Sequence, residues 1–252
     1  MTRRARLSGA ALIPGFFLTS VTCASVTDIV DTGEPLSELP AAYADFNQDN
    51  VTVSIDGSNV VIESNGYPDH TSPYWSPTHP LYVAPDGNGG QLAPGYIDDF
   101  NGSYALTVPG RPERAASSSA TGLGPIGIAR SGAMIYNDQE GPNVPLDNAI
   151  VSFDFTGAHT GPQSYHYHIE PVAWSADDDE LIGVMADGFF LYGRREPDGS
   201  YPSDLDASGG HVGPTTHNPE GEYHYHIQNE LYLGAYYILF PGDYQGTPNA
   251  IR

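Results

Sequence analysis

The sequence predicts an all-β protein, dominated by short strands and long loops, whose C-terminal half is one β-unit written twice. Three observations predict it. The 252 residues include 29 Gly, 22 Pro, 17 Tyr and 9 Phe, punctuation too dense for long helices and suited to short strands joined by turns. VTVSI and VVIES alternate apolar and polar residues about DGSN, so Val51–Ile55 and Val60–Ser64 read as a hairpin. Finally, three blocks of the second half recur in order: PIGIARSGAMIY (125–136) with LIGVMADGFFLY (181–192), GAHTGP (157–162) with GGHVGP (209–214), and YHYHIE (165–170) with YHYHIQ (223–228). The offsets are 56, 52 and 58 residues, so only the connecting loops differ in length, as expected of two copies of one supersecondary unit. Such copies predict a pseudo-twofold relation in a sandwich- or barrel-like fold, with equivalent residues brought to facing positions.

Taken in order, residues 1–24 carry a basic start (MTRRAR), an apolar stretch (LSGAALIPGFFLTSV) and small residues (TCAS), the layout of an export signal. Pro14 and Gly15 interrupt the apolar stretch, which excludes a stable membrane span. The expected compartment is periplasmic or extracellular, and the Arg3-Arg4 pair leaves the twin-arginine route open beside the general one. Cys23 is the only cysteine, so cleavage after Ala24 leaves a mature chain without thiols or disulfides. Lipid anchoring at Cys23 is the weaker alternative, because Ser20 stands where such a signal carries an aliphatic residue. Residues 25–110 form an N-terminal part of hairpin and loops, in which DFNQDN (45–50) reads as an acidic turn: its spacing resembles a calcium loop, but no helical pattern flanks it. Residues 111–122 have the Pro, Ser and Ala of a linker, or of a surface loop if 25–252 is one domain. Residues 123–252 hold the duplicated unit, with copies at 125–170 and 181–228, and then LYLGAYYILF (231–240), which reads as a buried strand or two.

The net charge is −22, and all nine basic residues are arginine. A surface so acidic repels phosphate backbones and anionic lipid, which excludes nucleic-acid and peripheral membrane binding. The chain has no G-x-S-x-G elbow, no HExxH and no Walker loop, so the common hydrolase and nucleotide motifs give no support.

The chemistry lies in the duplicated histidines. In YHYH the side chains alternate across the strand, placing both imidazoles on one face about 6–7 Å apart and both tyrosines on the other. His166 with His168, and His224 with His226, are thereby candidate metal ligands, and the Gly-flanked His159 and His211 are the third partners. Three imidazoles suit a transition ion, Cu or Zn, with a position left open. Asp187, Asp204, Asp206 and Glu170 are candidate carboxylates for orienting the rings or ligating directly. An unperturbed imidazole would release its metal as the pH falls through about 6.5. The leading reading is an exported metal-binding protein, with enzymatic use of the metal left open. Two others stand beside it: a metal-free surface module in which Tyr74, Trp75, Tyr82 and Tyr96 grip a glycan or peptide, and a hydrolase using the same His and Asp residues as acid and base.

The paired YHYH tetrapeptides, with DGFFLYG (187–193), SDLDASGGH (203–211) and SNGYPDH (64–70), resemble the YHYH-domain family of bacterial secreted proteins over roughly Ser64 to Ile227. The resemblance implies an exported domain with a metal or ligand site and no settled activity. It adds His70, through SNGYPDH alone, to the candidate ligands. The chain departs from the family pattern at Phe190, where a proline is usual, and at Ala207 and Ser208, where a cysteine is usual.

A basic, apolar and small-residue start has no role in a soluble fold, so N-terminal sequencing of the exported protein is expected to begin between Cys23 and Asp28. An intact Met1 would contradict the export signal.

Overall fold

The computed structural model describes residues 33–85, 91–100, 102–161 and 164–252. The export signal expected from the sequence, and Cys23, lie outside the described residues. The N-terminal part is an antiparallel meander of β1 (Val51–Asp56), β2 (Asn59–Ser64) and β3 (Tyr104–Pro109). The expected hairpin is present: Asp56 pairs with Asn59 across a turn in which Gly57 adopts φ 63°, a conformation glycine takes without steric cost. Val60, Ile62, Leu106 and Val108 fill the buried face of the meander. The DFNQDN segment is a turn, capped by Asn47 Oδ1 accepting the backbone N–H groups of Asp49 and Asn50.

The second half supplies β4 (Gly127–Ala129), β5 (Met134–Ile135), a small hairpin of β6 (Gln139–Gly141) and β7 (Val144–Pro145), then β8 (Ala158–Thr160), β9 (Tyr165–Tyr167), β10 (Leu181–Met185), β11 (Phe190–Tyr192), β12 (Gly210–Gly213) and β13 (Glu222–His226). Eight of these form one open sheet in the order β12-β13-β11-β10-β4-β5-β9-β8. Read from its centre outward the order is a palindrome, β4-β5-β9-β8 on one side and β10-β11-β13-β12 on the other. The register makes the symmetry local as well as topological. At the centre Ile128 pairs with Val184, its own equivalent, flanked by Gly127 with Met185 and Ala129 with Gly183. Within the copies, Gly127 pairs with Ile135 as Gly183 does with Leu191, Ile135 with Tyr167 as Leu191 does with Tyr225, and His159 with His166 as His211 does with His224. The duplication is therefore a pseudo-dyad through Ile128 and Val184. The sheet is open, not closed into a barrel, with β8 and β12 at its edges.

The dyad corrects one expectation. Equivalent residues meet only at β4 and β10; the histidine strands β9 and β13 lie five strand spacings apart, about 24 Å along an untwisted sheet, and do not face one another. The tail also differs from its reading. Leu231 and Leu233 are exposed, and only Leu239 and Phe240 are fully buried, with Tyr237 packed against the core beside them. Leu233 (φ 50°) and Gly234 (φ 71°) turn the chain, so the apolar run folds back as a short bridge between Tyr232 and Tyr236 before Leu239 N–H reaches His168 O.

β10 is buried along its whole length, as a central strand covered on both faces should be. Beside the dyad Gly183 has no room for a side chain: a Cβ there would lie 2.2 Å from the Ile128 carbonyl oxygen. Gly183→Ala is expected to cost roughly 1–3 kcal/mol in urea unfolding, whereas Gly122→Ala, whose Cβ meets nothing within 4 Å, should leave the midpoint unchanged.

Candidate metal centres

Each copy gathers three imidazoles from two adjacent strands. In the first, β8 carries His159 and β9 carries His166 and leads into His168; all three are buried, and their candidate ligand atoms lie within 4.8 Å of one another. In the second, β12 carries His211 and β13 carries His224 and His226, joined within the same limit by Glu196. The tyrosines lie on the other face, as the alternation requires. Tyr165 and Tyr223 donate to Asp154 and Asp206 at 2.7 and 2.9 Å; Tyr225 donates to Asp187 at 2.6 Å, and Tyr167 meets Ser131 at 3.1 Å.

The outer nitrogen of every ring is committed. In the first copy, Nδ1 of His159 meets Ser152 Oγ at 2.8 Å, that of His166 meets the Ser164 carbonyl at 3.3 Å and that of His168 meets the Asn137 carbonyl at 2.6 Å. In the second, His211 meets Asp204 Oδ1 at 2.8 Å, His224 the Glu222 carbonyl at 3.0 Å and His226 the Gly193 carbonyl at 2.7 Å. Under the block offsets these partners are the same positions: Ser152 and Asp204, Ser164 and Glu222, Asn137 and Gly193. Carbonyls and carboxylates only accept, and the Ser152 hydroxyl already donates to Ala149 O at 2.6 Å. The hydrogen-bond network thus assigns the proton to Nδ1 in all six rings, leaving a lone pair on each Nε2.

Those lone pairs point at each other. His159 and His166 bring their Nε2 atoms to 3.0 Å, and His224 and His226 bring theirs to 2.8 Å. Among the described residues, His168 Nε2, His211 Nε2 and Glu196 Oε2 are buried without a hydrogen-bond partner, a cost that proteins avoid unless something else satisfies the atoms. Glu140 Oε1 stands 3.3 Å from both His159 Nε2 and His168 Nε2, and Glu196 stands 3.1 Å from His211 Nε2 and 3.9 Å from His226 Nε2. Each centre therefore offers three imidazole nitrogens and one carboxylate. That donor set fits a divalent transition ion, with carbonyl, hydroxyl and carboxylate groups behind the rings fixing their tautomer.

Glu140 and Glu196 were missed in the sequence, although a signal was present: each stands four residues beyond the Tyr that ends its first block, at the same 56-residue offset. Of the four carboxylates considered, Asp204 orients His211, while Asp187 and Asp206 hold tyrosines and Glu170 pairs with Arg194 at 2.8 Å. His70 stands apart from both clusters. Its Nε2 meets the Tyr167 hydroxyl at 2.7 Å, on the tyrosine side of β9.

Burial sets the protonation of the rings. It pulls His168 and His226 down to about 4 and His224 to about 3, with backbone acceptors opposing, and it lowers His166 well below the ordinary imidazole range, helped by His168 and His159. Burial raises Glu140, but the neighbouring His159 and His168 outweigh it and hold its carboxyl below the usual value. Burial raises Glu196, with His211 opposing. His166, His168, His224 and His226 are thus neutral and able to ligate far below the pH of about 6.5 expected of an unperturbed ring.

Residues 105–201 match the family described as YHYH protein. The YHYH match takes in Glu140, His159, His166 and His168 and stops before His211, His224 and His226, so it is shorter at both ends than the span from Ser64 to Ile227 suggested by motif wording. The match already enters the second copy through β10, β11 and Glu196; it is the internal symmetry that relates His211, His224 and His226 to the histidines of the first copy. No curated protein and no solved structure matches the chain.

The depressed imidazoles carry a stability consequence. Between pH 6.5 and about 4 the unfolded chain binds protons on these histidines and the folded chain does not, so stability rises with pH through that window and is lost as pH falls. Metal-stripped protein is expected to melt progressively lower from pH 6.5 towards 4, and His224→Gln/His226→Gln should flatten that dependence.

Proposed function

We propose that this chain is exported to the periplasm or beyond and holds two divalent transition ions, Zn or Cu, one in each YHYH copy. His159, His166 and His168 with Glu140 would hold the first; His211, His224 and His226 with Glu196 would hold the second. The observation that carries this reading is the pair of opposed Nε2 lone pairs in each copy, fixed by acceptors at every Nδ1. A purely structural imidazole layer would be expected to share protons across those contacts. Two nitrogen lone pairs at 3.0 and 2.8 Å repel unless a cation lies between them. A bound ion would act as a Lewis acid for whatever oxygen or nitrogen donor reaches it.

The binding-module alternative has less support, because Tyr74 and Trp75 are buried in the core and do not offer a stacking platform. His70 we assign to positioning the Tyr167 hydroxyl rather than to either ion.

Metal analysis of the full chain after equilibration with Zn²⁺ and gel filtration tests the proposal. Two equivalents per chain are expected; one should remain in His166→Gln/His168→Gln and one in His224→Gln/His226→Gln, since Gln keeps size and hydrogen bonding but ligates poorly. Glu140→Gln and Glu196→Gln should each weaken one equivalent by tenfold or more. Binding well below one equivalent in the unsubstituted protein would overturn the reading.

A further inference from the structure

The two copies share their ligands but not what stands behind them. His159 Nδ1 is held by the Ser152 hydroxyl and His211 Nδ1 by the Asp204 carboxylate, each at 2.8 Å, and these are equivalent positions of the repeat. The hydroxyl is a neutral acceptor. A carboxylate makes a charge-assisted bond, roughly twice as strong, and raises the basicity of the ring at Nε2, the ligating atom. Asp204 has a side chain 70% accessible, so it holds His211 without filling space in the core. Negative charge also crowds the second centre: Asp179 and Asp204 bear on His226, and Asp198 and Asp204 on Glu196. A divalent cation relieves that crowding.

The carboxylate ligands are mounted differently too. Glu196 follows Arg194 and Arg195, where Glu140 follows Asp138 and Gln139. Arg194 donates to Glu170 and to Asn229, both at 2.8 Å. Arg195 donates to the Asp177 carbonyl at 2.8 Å, Asp177 Oδ2 at 2.6 Å, the Gly199 carbonyl at 2.7 Å and the Tyr201 hydroxyl at 2.9 Å. The turn that carries Glu196 is thereby tied at both ends, and the Gly199 N–H closes it on the Glu196 carbonyl at 2.8 Å. Glu140 instead lies in β6, which pairs with β7 across an irregular register in a sheet of two strands. Neither strand of that hairpin is buried, and the Glu140 side chain is 28% accessible against 14% for Glu196. A ligand on a tied turn loses less freedom on gripping an ion than one on a hairpin outside the main sheet.

Resting on the metal reading above, we infer that the two centres fill in order: the second binds its ion more tightly and keeps it, and the first gains and loses an ion at concentrations that leave the second loaded. The acceptor behind the ring and the mounting of the glutamate act in the same direction. Groups that orient a ligating imidazole are worth roughly 10–100-fold in metal affinity, so Asp204 by itself separates the centres by about tenfold or more. One ion is then resident and the other exchangeable, in copies whose direct ligands are the same.

The test is a Zn²⁺ titration of the metal-stripped full chain in competition with a chromophoric chelator. Two equivalents separated by about tenfold or more in Kd are expected, the tight one retained in His166→Gln/His168→Gln and lost in His224→Gln/His226→Gln. Asp204→Asn keeps an acceptor for the His211 Nδ1–H and removes the charge; it should weaken the tight equivalent about tenfold and leave the weak one unmoved. Two equivalents of equal affinity, a tight equivalent lost in His166→Gln/His168→Gln, or a tight equivalent unmoved by Asp204→Asn would overturn the inference. Failure to bind two equivalents in the unsubstituted chain would overturn the metal reading itself, and this inference with it.

Discussion

The antiparallel pairing of β4 with β10 is the contact on which the molecule depends. Ile128 opposite Val184 places the dyad, and the glycines on either side of it keep the backbones close enough for the ladder to form. The Gly183 position leaves no space for even a methyl group against the Ile128 carbonyl. Everything outward follows from that pair: β5 and β11 fold back on the centre, β9 and β13 join them in parallel, and β8 and β12 close the flanks. A cluster of three histidines sits far from the dyad in each half, so the symmetric core supports two separate candidate centres rather than one shared by both copies.

What holds the imidazoles is also inherited through the dyad. The acceptors at Nδ1 come mostly from backbone carbonyls, those of Asn137, Ser164, Gly193 and Glu222. A carbonyl acceptor depends on the path of the chain and not on the side chain, so the copies can differ at Asn137 and Gly193, or at Ser164 and Glu222, and still present the same tautomer. Only the partner of His159 and His211 is a side chain. There the copies diverge from a hydroxyl to a carboxylate, which strengthens the outer hydrogen bond and with it the donor strength of Nε2.

Much of this was legible in the sequence because repetition and alternation are written in residue order. The hairpin about DGSN, the two copies and the six clustered histidines all come from patterns of period two or from a fixed offset. Glu140 and Glu196 obey the same offset but stand outside the blocks of wording, in segments that share no other residue, and a lone glutamate in so acidic a chain carries no weight by itself. The Leu231–Phe240 run was misread because hydropathy cannot show that Leu233 and Gly234 take positive φ and fold the run on itself. The depth of the pKa shifts was invisible for a different reason, since it depends on burial that only the packed sheet supplies.

The form of the motif, two tyrosines alternating with two histidines, follows from the need to fix a strand from both sides. A ligand strand whose outer face were merely apolar could slide or tilt by tenths of an ångström at little cost, and opposed imidazoles would move with it. Here the outer face is pinned by hydroxyls. Tyr165 and Tyr223 reach Asp154 and Asp206, which also take the backbone N–H of Thr156 and of Ser208, respectively, from the turn before the next strand. Tyr225 reaches the buried Asp187, and Tyr167 is held between Ser131 and His70. These acceptors are again equivalent positions, Asp154 with Asp206 and Ser131 with Asp187. A buried tyrosine whose hydroxyl is bonded cannot shift without breaking that bond, so the tyrosines fix where β9 and β13 lie, and the histidines between them inherit their positions.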